Sequence, residues 1–173
     1  MPRTLATGLA LSLIATAAAA EVTDRRDDGF TLTFESRVSA SPEAIYAGLG
    51  RIGQWWDGGH TYSGDSANLT LDLKPGGCFC EALPGGGVQH GVVVLAWPER
   101  MVRINAALGP LQDTDPAAVL TFSWSPAAEG GHTLTATYVV AGPGMGALAA
   151  PVDQVMAAQF SRLVDHLSAG PAA

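Results

Sequence analysis

The sequence predicts an α+β fold: a curved antiparallel sheet wrapped around a long C-terminal helix, with two short helices after the first strand. Three observations carry that prediction. Residues 145–167 form the last long apolar run, and Val152, Val155, Met156, Phe160, Leu163 and Leu167 recur at three- and four-residue steps, one face of a helix. Nearly everything before that run alternates apolar and polar residues over short stretches punctuated by Gly and Pro, the pattern of strands and turns. A helix with one apolar stripe, closing a mostly β chain, buries that stripe on the concave face of a sheet.

The elements follow in order. Residues 21–28 are charged and polar and read as a loose leader. In 29–38, Phe30, Leu32 and Phe34 alternate with Thr31, Thr33 and Glu35, a half-buried strand. Ser41-Pro42-Glu43 starts a helix, with Ser41 as N-cap and Pro42 in its first position. A second short helix or turn covers 52–56, and 60–67 is a loop. Leu69, Leu71 and Leu73 form the inward set of the next strand, broken by Lys74-Pro75-Gly76-Gly77. Residues 78–83 and 88–97 flank Pro84-Gly85-Gly86-Gly87, a hairpin. Strands at 101–106 and 118–125 enclose a polar loop at 109–116. A last strand carries Leu134, Ala136, Tyr138 and Val140 inward. Pro151 fits the first turn of the final helix, whose acidic start and basic end suit the macrodipole, and Gly170-Pro171 fits its stop. The helix-and-sheet domain spans 29–168, with a tail at 169–173.

Residues 1–20 have a signal-peptide layout: Arg3, a short apolar core, then Ala18-Ala19-Ala20 before Glu21. This predicts export to the periplasm or beyond. No later run approaches the ~20 apolar residues of a membrane helix. The chain has 9 basic and 16 acidic residues, a net charge of -7, and loss of Arg3 moves it further to the acidic side. An acidic chain without a basic stripe argues against nucleic acid or anionic lipid as a partner. Cys78 and Cys80 are expected as free thiols, with a strained or an intermolecular bridge as the lesser alternative. On a regular strand, residues two apart have Cα atoms roughly 6.5–7 Å apart, at or beyond the bridging limit.

The order of elements and several local motifs resemble the START/Bet v 1-like (SRPBCC) superfamily. The carrying residues are 38–46 (Val-Ser-Ala-Ser-Pro-Glu-Ala-Ile-Tyr), 71–77 (Leu-Asp-Leu-Lys-Pro-Gly-Gly) and 91–94 with 98–102. The pairs 120–122 and 134–138 add to them. The segment 108–112 (Leu-Gly-Pro-Leu-Gln) is similar to that of exported bacterial members labelled polyketide cyclase-like or Hsp90-activator-like. The resemblance covers nearly the whole chain after residue 20 and implies the helix-grip fold. Members include lipid and sterol carriers, hormone receptors, aromatase/cyclases and co-chaperone domains, so fold does not choose the function.

The aromatic residues supply a candidate ligand-binding set: Trp55, Trp56, Tyr62, Phe79, Phe122, Trp124 and Tyr138, with Met156 and Phe160 opposite on the final helix. Core packing is the competing reading for many of them. Adjacent Trp55 and Trp56 point in different directions, so one lines a cavity mouth while the other packs, or both pack. His90 and Glu81 lie on opposite arms of the hairpin. One register sets them side by side as an acid/base pair, a one-residue slip sets them on opposite faces, and the simpler expectation is a solvent-exposed cross-strand pair. Cys78, Cys80 and His90 do not have the spacing of a structural zinc site, and no metal or cofactor is expected. His60 and His132 fall in loops, and the helix-end position accounts for His166. No catalytic set, nucleophile elbow or phosphate loop stands out.

The expected function is therefore an exported protein that binds a small hydrophobic molecule (a lipid, polyketide or similar) between sheet and final helix. One alternative is a cyclase/dehydrase-like enzyme, which needs a titratable group inside the cavity. The other is an interaction module with a solid core.

Overall fold

The computed structural model describes residues 20–169. The expected signal segment, apart from Ala20, and the expected tail, apart from Ala169, lie outside these residues. The chain runs β1 (Ala20–Arg26), β2 (Gly29–Val38), α1 (Pro42–Gly50), α2 (Ile52–Trp55), β3 (Leu69–Leu71), β4 (Cys78–Leu83), β5 (Gly86–Trp97), β6 (Met101–Asn105), β7 (Ala117–Pro126), β8 (His132–Ala141) and α3 (Ala149–Ala169). One eight-stranded sheet has the order β1-β2-β8-β7-β6-β5-β4-β3, with every neighbouring pair antiparallel. This is the predicted α+β architecture, with α3 on the concave face.

The expected loose leader is instead β1, paired along the outer edge of β2 from Glu21↔Thr33 to Arg26↔Gly29. The two short helices thus follow the second strand. Asp24, Arg25 and Arg26 are exposed, and Arg26 pairs with Asp24 at 2.9 Å. An edge strand with this charge shows no apolar alternation, and charge on an edge blocks further pairing.

α1 begins as its sequence predicts. Ser41 Oγ accepts the Ala44 amide at 3.3 Å and Pro42 occupies the first turn. Gly48 lets α1 approach α3 closely, since a Cβ there would sit 2.5 Å from Leu167 Cδ2. Two polar ties fix α2 to α3. Arg162 Nε donates to the Trp55 carbonyl at 2.8 Å, and the Asp57 amide donates to Gln159 Oε1 at 2.9 Å.

β5 shapes the sheet. Phe79 pairs with Gly91 and Cys80 with Gln89, so β5 carries one extra residue there, His90. Val93 pairs with Ile104 and Leu95 with Arg103, so Val94 is a second extra residue. Bulges increase the local right-handed twist and bend the strand, which helps this half of the sheet curl toward α3.

Beside the first bulge, the Cα atoms of Cys78 and Cys80 are 5.3 Å apart and the two residues form a disulfide. The expectation of free thiols is corrected. It rested on regular strand spacing, and β4 is contracted where its register against β5 slips.

The apolar stripe of α3 divides along its length. Phe160, Leu163 and Leu167 are buried in the core, where the Phe160 ring stacks on Phe34 at 5.8 Å. Val152 and Val155, nearer the N-terminus, are only half-buried. Among the described residues, no helix is long and apolar enough to cross a membrane.

The division predicts distinct mutational effects. Phe160→Ala should lower stability by about 3–5 kcal/mol, the usual cost of emptying a buried aromatic site, as read by urea unfolding. A loss under 1 kcal/mol would mean that the C-terminal half of the stripe is not the packed half.

Candidate functional site

Where α3 stands off the sheet, a cavity of about 570 Å³ remains. α3 contributes Val152, Val155 and Met156 to its wall, and the sheet contributes Phe79, His90 and Tyr138. Two irregular segments frame the mouth: residues 60–62 and the 3₁₀ turn Gly109–Thr114. The latter, expected as a polar loop, buries Leu111 and turns it to the cavity. Gln112 lashes this turn to the sheet by donating its side-chain amide to the Gln89 carbonyl at 3.0 Å.

An aromatic series runs from the short helices into the cavity. Trp56 Nε1 donates to the His60 carbonyl at 3.1 Å, which fixes its indole. Its ring meets Phe79 edge-on at 5.6 Å, Phe79 lies 4.9 Å from the His90 ring, and the Tyr62 ring lies 5.9 Å from His90. Such tilted and edge contacts suit the ring quadrupoles.

His90 and Glu81 are buried, at 6% and 2% exposure, with His90 Nε2 2.9 Å from Glu81 Oε2. The expectation of a solvent-exposed pair is corrected. Glu81 pairs with Val88, and His90 lies two residues on from Val88, so Glu81 and His90 share the inner face, away from the outward Gln89–Cys80 pair. The bulge lets the next residue, Gly91 opposite Phe79, face inward as well, so His90 and Gly91 are both buried. Gly91 makes the arrangement possible, since a Cβ there would lie 2.6 Å from the Asn105 carbonyl oxygen and 2.7 Å from Ala106 Cβ.

Glu81 joins three segments. Its Oε1 accepts the Ser63 amide at 2.5 Å, and its Oε2 accepts the Tyr62 amide at 3.1 Å as well as His90. Burial pushes the Glu81 carboxyl up, but the hydrogen bonds from Ser63, Tyr62 and His90 outweigh it and hold the group below its ordinary value. An ionised Glu81 is an acceptor only, so His90 presents Nε2–H to it, and in the singly protonated ring Nδ1 is the acceptor. Tyr138 is fully committed: its hydroxyl donates to the Ala106 carbonyl at 2.9 Å and accepts the Leu108 amide at 3.3 Å. Burial holds that phenol far above its ordinary pKa.

Of the aromatic and Met candidates, Trp56, Tyr62, Phe79, Tyr138 and Met156 line this cavity. Trp55, Phe122, Trp124 and Phe160 do not, and they are corrected to core. Trp55 Nε1 donates to the Gly48 carbonyl at 3.2 Å and its ring packs edge-on against Phe122 at 6.4 Å. His90 lines the same cavity and Glu81 braces it, though neither belongs to the aromatic set; a register of Glu81 against Val88 about the Gly-rich turn is the signal that puts both on one face. Asp72 stays outside, paired with Lys74 at 2.7 Å. His166 is not explained by the helix dipole, because burial and then Arg51 push its imidazole below the ordinary value.

No family model and no curated protein matches the chain. Solved structures do. CalU16 from Micromonospora echinospora aligns with a TM-score of 0.59 at 16% identity, over 88% of this chain and 87% of that one. The Aha1 dimer from Colwellia psychrerythraea aligns with a TM-score of 0.56 at 19% identity, over 82% and 98%. The chain has the helix-grip fold. StfQ, the di-domain ARO/CYC of the steffimycin biosynthetic pathway, also aligns, with a TM-score of 0.59 at 15% identity over 84% of this chain. The match spans 51% of StfQ, about half its length. At these identities the likeness is one of fold.

Glu81→Gln should lower stability by about 2–3 kcal/mol at pH 7, because charge-assisted bonds are lost and buried amides face an NH₂ group. A carboxyl whose folded pKa is depressed stabilises the fold above its unfolded value, here 4.5. That contribution is lost as pH falls through the lower folded value. The gap between wild type and variant should therefore close on acidification below pH 4.5 in urea titrations. A gap that stays constant down to strongly acid pH would show that Glu81 is not held ionised by its neighbours.

Proposed function

We propose that this chain is an exported protein that binds a small hydrophobic molecule between its sheet and α3. The observation that carries the reading is the cavity of about 570 Å³, walled by aliphatic and aromatic side chains. That volume lies within the range of small-molecule sites, and apolar lining with few polar groups is their usual chemistry. Binding draws on apolar burial, roughly 25 cal/mol per Å² before the costs of ordering. Export rests on the layout of residues 1–20, and a disulfide is compatible with an oxidising compartment. The kinship suggested by residues 38–46, 71–77 and 108–112 is with exported bacterial members of the SRPBCC superfamily. The cavity counts against an interaction module with a solid core.

One observation favours a second reading, a cyclase/dehydrase-like enzyme. A buried imidazole backed by a carboxylate lines the cavity, and such a pair is suited to moving a proton. The ARO/CYC description belongs to StfQ and bears on this chain only as a suggestion.

Titration with N-phenyl-1-naphthylamine tests the binding reading. Wild-type protein should give saturable, one-site fluorescence enhancement. Val155→Trp, which fills the cavity from α3, should weaken it about tenfold or more with the urea midpoint little changed. Non-saturable enhancement, or affinity unchanged by Val155→Trp, would remove the cavity as the binding site.

A further inference from the structure

The interior of the cavity is unequally supplied with polar groups. Tyr138 Oη already donates to Ala106 and accepts from Leu108. Thr61 Oγ1 donates to the Gly58 carbonyl at 2.8 Å. Asp113 and His60 line the mouth but are exposed, where water serves them. His90 is different. Its Nε2 is taken by Glu81, while Nδ1 has no hydrogen-bond partner among the described residues. Nor is Nδ1 among the sealed polar atoms that lack a partner. It therefore keeps access to the cavity that His90 lines.

The direction of the hydrogen bond Nδ1 can make is fixed by what stands behind it. Glu81 accepts two backbone amides and the imidazole, so the shared proton resides on Nε2. Polarisation through that bond strengthens Nδ1 as an acceptor. An apolar ligand that fills the cavity displaces water from Nδ1. If the ligand carries a hydroxyl donor, the lost bond is replaced. If it carries only an ether or carbonyl acceptor, both it and Nδ1 are left unpaired, and an unpaired buried polar group is costly.

We infer that His90, oriented by Glu81, makes the cavity selective for apolar molecules bearing a hydroxyl donor, which hydrogen-bonds to Nδ1. The inference rests on the ligand-binding reading and assigns that site its polar specificity. His90 thus brings an acceptor to a wall that is otherwise mostly aliphatic and aromatic.

Calorimetric titration with 2-naphthol and 2-methoxynaphthalene tests the inference. The two share a ring system, and the second cannot donate. After allowance for their different partitioning from water into alkane, wild type should prefer 2-naphthol by about tenfold or more, the size of one well-made hydrogen bond. His90→Phe should abolish that preference, read as the ratio of the two corrected affinities. Equal corrected affinities in wild type, or a preference that survives in His90→Phe, would overturn the inference and leave the binding reading intact. Failure of both probes to bind would overturn both. A crystal of the wild-type protein soaked with 2-naphthol gives an answer that needs no variant. The naphthol oxygen is expected within hydrogen-bond distance of Nδ1, and its placement elsewhere would refute the assignment.

Discussion

Two extra residues in β5 are the constraint on which this site depends. A sheet of regular antiparallel pairs would follow α3 less closely. The extra residues at His90 and Val94 bend β5 and break the alternation of its faces. The curled sheet meets the C-terminal half of α3 through Phe160, Leu163 and Leu167, while Val152 and Val155 in its N-terminal half stay half-buried and line the cavity. Core and cavity are thus two ends of one helix stripe. The same distortion sets Gly91 on the inner face beside the imidazole.

Glu81 turns that geometry into chemistry. A carboxylate buried to 2% exposure needs its lone pairs satisfied. It draws the amides of Tyr62 and Ser63 across the end of β4, which shapes one side of the mouth. It also draws the proton of His90 to Nε2. One side chain therefore sets both the frame of the opening and the polarity of the His90 acceptor within it. The fold supplies a place for a ligand. This pair supplies the grounds for choosing one.

Much of the architecture was legible in the sequence because it rests on period. Phe30, Leu32 and Phe34 alternate, α3 repeats every three to four residues, and Ser41-Pro42 announces α1; each reflects burial on one face. What escaped was whatever departs from period. β1 carries exposed charge and has no apolar alternation. The Cys78–Cys80 bridge depends on a contraction of β4 that regular strand spacing excludes. The inward placement of His90 depends on the hairpin register, Glu81 against Val88, which the Gly-rich turn leaves open by one residue. Composition marked the aromatic residues as candidates but did not separate wall from core. Trp55 and Trp56 are neighbours, and the division between them is set by their hydrogen bonds, to Gly48 and to His60. Gln159, buried at 1% exposure on an otherwise apolar stretch, reads as a surface residue until its bond to the Asp57 amide is seen.

The most direct test of this account is the tautomer of His90 in solution, read from long-range ¹H–¹⁵N correlations in ¹⁵N-labelled protein near neutral pH. The account predicts a neutral ring protonated at Nε2, with Nδ1 bare, and loss of that fixed state in Glu81→Gln. A ring protonated at Nδ1, or one averaging freely between tautomers as an exposed histidine does, would contradict it. The imidazole would then not be held by Glu81, and the cavity would lack its acceptor.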